Sequence, residues 1–268
     1  MTSTKPYLYM RELATKCGRK SFRLPLPIFV VRNFHCGPIS FRLPLPMINN
    51  VFVVGDVGLS RQILQDLKSD KPIEIYSSFE SITKTPIMFT SMNSVYTKSI
   101  RKMAHRAFSS QQSRMKMIAQ KHIDHWLDER LRYISDQRAA FDPTNEALAI
   151  TFYTVCDFAF EYEASYEEYL AFVENIDIAL HEFAFRQSTN PLRKLFGSLL
   201  PSAWKAEKAS TWVRNFAAKV LESFTSRSRE TQEQDSFLAL LFQSTAIQDL
   251  NGIISEIIMF LFAGHDTC

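Results

Sequence analysis

Near the end of the chain an unbroken apolar run, 257–263, is followed directly by Gly264, His265, Asp266 and Thr267. A carboxylate and a hydroxyl at the end of a buried helix cost free energy unless they are partnered. Groups with exchangeable protons in such a place suit proton transfer. A glycine there costs about 1 kcal/mol of helix stability, which is offset where a ligand packs against the missing side chain. A second reading makes Gly264 a C-cap and the rest a polar exit. The residues alone leave both open.

The other candidate surface is basic. In 94–108, SVYTKSIRKMAHRAF, the residues Tyr96, Ile100, Met103, Ala104 and Ala107 form an apolar stripe. Lys98, Arg101, Lys102, His105 and Arg106 form a basic face beside it. From 95 to 134, nine Lys/Arg stand against three Asp/Glu. Such a run is either a solvated helix face or one that holds anionic groups. His122 and His125 have the spacing of a metal pair but no third ligand near them, so no metal is assigned to them. Cys17, Cys36, Cys156 and Cys268 fit neither a zinc nor a disulfide framework, which points to a reducing compartment.

The elements that must position these groups are mostly helices. Apolar residues at 250, 253, 254, 257, 258 and 261 mark one face of a helix over 249–268, with Asp249 as its N-cap. Its apolar run is far short of the ~20 residues of a membrane span. Ser255 and Glu256 break it further, so it is a core helix. With 46% hydrophobic residues, 22 Phe and 7 Gly, the 268-residue chain favours a helical, phenylalanine-packed protein. A net charge of +3 is too small to argue for a nucleic-acid partner. The patterns predict helices at 7–16, 57–67, 76–82, 94–108, 110–134, 143–162, 166–185, 205–224 and 236–243. A strand pair is predicted at 40–45 and 51–55 around a turn at 47–50. The segment 17–31 recurs within 36–54 at an offset of 19 residues, a small duplication. The chain thus divides into a β-hairpin region, 1–56, and a helical region, 57–268, and its start has neither a signal-peptide core nor a membrane anchor.

These residues resemble the cytochrome P-450 family of heme-thiolate monooxygenases. The string A-G-x-D-T at 263–267, behind an apolar run, is similar to the family's long central helix. The resemblance implies that Ala263 and Gly264 lie over the heme and that Phe262 lines the substrate space. It implies that Asp266 and Thr267 deliver protons to iron-bound dioxygen. The family also has a helix of pattern W-x-x-x-R with an apolar residue seven positions on. Setting Phe108-Ser109 on its closing Phe-Ser puts Arg101 at the arginine that binds a heme propionate. Thr97 then stands where the family has tryptophan, with Tyr96 beside it. A guanidinium suits that role because its donors form a planar fork. The fold implied is mainly α with a small N-terminal β hairpin, the first half of the cytochrome P-450 fold. Residues 1–268 would be an incomplete single domain, truncated in its central helix.

The family's heme-ligand loop, F-x-x-G-x-R-x-C-x-G, has no match: around Cys36 only Phe29 agrees, and Cys268 stands on the distal helix. No metal ligand is therefore expected in this chain, and heme would be the cofactor of a complete protein. The implied partners are a small apolar substrate, dioxygen and a redox partner of reductase or ferredoxin type. The segment 190–204, NPLRKLFGSLLPSAW, corresponds to a connection that lids the substrate space and touches membranes. The expected location is intracellular, either cytoplasmic or associated with the endoplasmic-reticulum membrane. The implied reaction inserts one oxygen atom of dioxygen into an apolar organic substrate. The alternative is a non-catalytic helical ligand-binding or adaptor protein of the same fold.

Overall fold

The computed structural model describes residues 40–45, 48–54, 57–65, 76–92, 94–186, 193, 196–227, 236–244, 247 and 249–266. The helix predicted at 7–16, the first copy of the duplication, Cys17, Cys36, Thr267 and Cys268 lie outside the described residues. The chain divides into two units, Met1–Asp70 and Lys71–Cys268.

In the first unit, strands β1 (Ser40–Leu45) and β2 (Ile48–Val54) pair antiparallel, with Ser40 opposite Val54 and Leu43 opposite Val51. The register shifts between Leu43 and Leu45, on either side of Pro44. A proline has no N–H for the ladder, so an irregularity falls naturally there. Asn49 and Asn50, read above as turn residues, belong to β2. Helix α1 (Val57–Gln65) follows.

The second unit is helical. A 3-10 turn (Ser77–Phe79) leads into α2 (Glu80–Thr83), and α3 (Val95–Ser109) and α4 (Gln112–His125) follow. A π-helical turn (Trp126–Leu131) joins α4 to α5 (Arg132–Asp136). Then come α6 (Pro143–Phe160) and α7 (Tyr166–Leu180), the latter extended by a π-helical turn (His181–Arg186). The last helices are α8 (Pro201–Thr225), α9 (Phe237–Gln243) and α10 (Leu250–Asp266).

Local chemistry accounts for most of the boundaries. Ser94, Asp142, Ser165 and Ser236 each accept a backbone N–H at the start of α3, α6, α7 and α9, and Ser165 with Glu168 closes a capping box. Asp249 caps α10 by accepting from the Gly252 N–H at 2.6 Å. Helix α8 starts at Pro201, ahead of the predicted Lys205. Proline suits the first helical position because its φ is preset and its missing N–H would have no partner there anyway.

Helix α10 packs against α6 and α8, and α8 packs against α7. Where they meet, the fully buried rings of Phe152 and Phe172 lie 5.0 Å apart, and Phe216 of α8 joins both. Each such ring contributes about 1.5–3 kcal/mol on burial. No helix among the described residues is long and apolar enough to cross a membrane.

Candidate distal cofactor surface

Helix α10 is sealed along one side and partly open along another. Ile257, Ile258 and Leu261 are fully buried, whereas Met259, Phe260, Phe262 and Ala263 are only half-buried. The helix runs on through Gly264 to Asp266, so Gly264 is not its cap. A Cβ on Gly264 would lie 2.4 Å from Cγ2 of Val155 on α6. That is well inside van der Waals contact, so any larger residue must displace the Val155 side chain or push α10 off α6. On that side the room left by the missing side chain is filled by protein, and the helix contact alone is enough to require glycine. His265, to which sequence patterns assign nothing, is buried among the rings of Tyr169 (5.9 Å), Phe172 (6.2 Å) and Phe152 (6.5 Å). Phe262 faces Phe79 at 5.5 Å, and Phe79, Phe89 and Tyr76 continue as an aromatic wall.

The two polar residues that interrupt the apolar run are anchors. Ser255 Oγ lies 2.7 Å from the carbonyls of Thr83 and Asn251 and accepts from Thr85 Oγ1 at 2.7 Å. Glu256, with no exposed surface, accepts at Oε1 from the Met88 N–H (2.7 Å) and from the Tyr96 hydroxyl. Burial first, then the neighbouring carboxylate, pushes the Tyr96 phenol far above its ordinary value, so it stays a donor. Local spacing shows neither anchor, since Thr83, Thr85, Met88 and Tyr96 lie more than 150 residues away in sequence. The available signal was the burial itself: polar groups inside a core helix must find partners.

Helix α3 carries Arg101. Thr97, at the position of the family's tryptophan, is buried and donates to the Met92 carbonyl at 2.7 Å, so it serves the helix start. Arg101, Lys98, Lys102 and His105 are exposed and have no hydrogen-bond or ion-pair partner among the described residues. Phe108 stacks on Phe260 of α10 (5.7 Å, 10°) and touches Phe158 and Phe237. Residues 101, 104 and 108 are spaced i, i+3, i+7 and share a stripe of α3, while 256, 260 and 263 are spaced i, i+4, i+7 and share a stripe of α10. The Phe108–Phe260 stack joins those stripes.

The other motifs resolve differently. His122 bonds Asp157 at 3.2 Å, while His125 pairs with Glu129 at 3.3 Å, so the two imidazoles serve separate carboxylates. Cys156 is fully buried in α6, and burial pushes its thiol well above the usual range, so it stays protonated and unsuited to bind iron.

The second unit thus combines a central helix with a half-open apolar stripe and, on α3, an arginine without a partner among the described residues. The family model of cytochrome P450 matches residues 35–268, and the chain belongs to the cytochrome P450 family. Heme is that family's cofactor, and monooxygenation is its class of reaction. A crystal structure of a cytochrome P450, CYP102L1, shares the fold with a TM-score of 0.64 at 18% sequence identity, over 87% of this chain and 53% of that one. The chain therefore spans about half the length of that structure. No curated protein matches it. The residues present fit the distal side of a heme: an apolar, half-open helix face and a cation that no carboxylate among the described residues neutralises.

Proposed function

We propose that this chain supplies the distal side of the heme pocket of a monooxygenase that inserts one oxygen atom of dioxygen into a small apolar organic substrate. The observation that carries this reading is the Phe108–Phe260 stack, which joins the Arg101 stripe to the Ala263 stripe. Arg101 would hold a heme propionate through a charge-assisted hydrogen bond. Ala263 would pack on the heme, and Gly264 would set its height by letting α10 close on α6. Phe262 and the wall of Phe79 and Phe89 would line the substrate space. Asp266, in the last turn of α10, and Thr267, next to it, would hold and pass protons. Bound heme supplies the iron at which dioxygen is reduced. Electrons would come from a reductase or ferredoxin-type partner. The exposure of Phe196, Leu199 and Trp204 supports a peripheral membrane contact around 190–204, with the protein in the cytoplasm or on the endoplasmic-reticulum membrane.

The test is to express the longest in-frame product of the coding sequence, reduce it under carbon monoxide and record the Soret band. A thiolate-type band is expected, with product formed per reducing equivalent falling severalfold in Asp266→Asn and Thr267→Ala. Ligand binding without that band would favour an adaptor or carrier instead. Unchanged coupling in both variants would remove the proton-delivery roles.

A further inference from the structure

Glu256 is a carboxylate with no exposed surface in the middle of a core helix. Replacing a buried ionic or polar group by a well-packed apolar one is often neutral or stabilising, so its presence calls for a positional reason. Its contacts supply one. Through Oε1 it gathers the Met88 N–H at 2.7 Å and the Tyr96 hydroxyl, so a single side chain of α10 holds both the 83–92 segment and the first turn of α3. Ser255 next to it fixes the start of the same segment through Thr83 and Thr85. Tyr96 lies five residues before Arg101 on α3, and Glu256 lies seven before Ala263 on α10. The Phe108–Phe260 stack can slide, because ring stacking has a broad optimum. A hydrogen bond to a carboxylate is far more directional.

We propose that Glu256 is a positioning residue: by holding Tyr96 and Met88 it sets how far along α10 helix α3 sits, and hence where Arg101 stands relative to Ala263. The role rests on the heme-binding reading above, because Arg101 and Ala263 matter as a pair only if they contact the same cofactor.

Two measurements test it. In the 268-residue chain without heme, amide hydrogen exchange follows Met88 and the first turn of α3. Glu256→Ala and Tyr96→Phe should each speed exchange there on the order of tenfold, the scale of one lost hydrogen bond. Glu256→Gln, which keeps an acceptor for both donors, should restore the slow rate. In the heme-loaded product, the resonance Raman propionate-bending band should move in Glu256→Ala in the same direction as in Arg101→Ala, and return in Glu256→Gln. Ile176→Ala, a buried α7 change, lowers stability without touching α3 and should leave that band in place. Unchanged exchange in Glu256→Ala overturns the positioning role, as does a band that moves equally in Ile176→Ala. A wild-type product that takes up no heme overturns the proposed function instead, and the exchange measurement then decides the role of Glu256 by itself.

Discussion

Helices α3 and α4 are neighbours in sequence and both carry basic residues, yet their charges meet opposite fates. On α4 and the π-helical turn after it, Lys121, His122 and Arg130 are matched by carboxylates of α6. Lys121 and His122 share Asp157, and Arg130 forks onto Glu146 at 3.1 and 3.0 Å, where Trp126 Nε1 also donates at 2.8 Å. On α3, Lys98, Arg101, Lys102 and His105 meet no carboxylate among the described residues. A run that reads as one basic surface is therefore two: a neutralised helix contact and an unsatisfied face. A charge matched inside the protein contributes to folding, whereas an unmatched one is available to an outside anion.

The contrast can be broken hardest at Glu146. This buried carboxylate satisfies both Trp126 and Arg130, so Glu146→Ala leaves an indole N–H and a guanidinium to find water in a half-closed site. The expected loss is about 2 kcal/mol of stability, or about 5 °C in Tm, read by thermal melting. Arg130→Met leaves the buried carboxylate without its counter-ion, with only Trp126 Nε1 still donating to it, and should lower Tm by a similar amount. If Glu146→Ala melts like the wild type, the ion pairs of α4 are decorative, and the difference from α3 disappears.

Arg101→Ala is the complementary change, with the opposite signature. An exposed arginine without a partner should cost less than about 0.5 kcal/mol of stability. Heme retention should weaken about tenfold or more, as one charge-assisted hydrogen bond is lost. Transfer of heme to an acceptor protein, followed beside a melting curve, separates the two effects. Lys98→Ala serves as the control on the same face. If Arg101→Ala lowers Tm but leaves heme transfer unchanged, the face is structural and the reading of α3 fails.

What could be read from the sequence was what spacing encodes. The buried face of α10, the Asp249 cap, the stripe of α3 and the helical order all follow from periodicities of a few residues, and the structure shows them. The division of the basic run was not visible, because Glu146 and Asp157 come from a different helix, 16 and 35 residues away from the groups they neutralise. Glu256 was hidden more deeply, since its partner Tyr96 lies 160 residues away and looked like one apolar residue in a stripe. Gly264 was conspicuous in the pattern, but its near neighbour was not. Only the packing of α10 on α6 shows that Val155 occupies the direction of its absent side chain.

The finest test of the comparison is pH, applied at Asp157. Hydrogen bonding from His122, reinforced by Lys121 against the opposing effect of burial, holds this carboxyl below its ordinary value of 3.8. A group whose folded value is depressed adds stability above its unfolded value and loses it as the pH falls through the folded one. The contribution of Asp157 should thus be complete at neutral pH, begin to fade near 3.8 and vanish in stronger acid. Its side chain keeps 18% of its surface exposed and Lys121 keeps 55%, so solvent screening limits the effect to under about 1 kcal/mol. Asp157→Asn should then lower Tm slightly at pH 7 and merge with the wild type in acid, as followed by melts across that range. Arg101→Ala should show no such crossover, because Arg101 meets no carboxylate among the described residues. If the Asp157→Asn deficit persists in strong acid, the loss is one of packing rather than charge. The matched character of α4 would then rest on Glu146 alone.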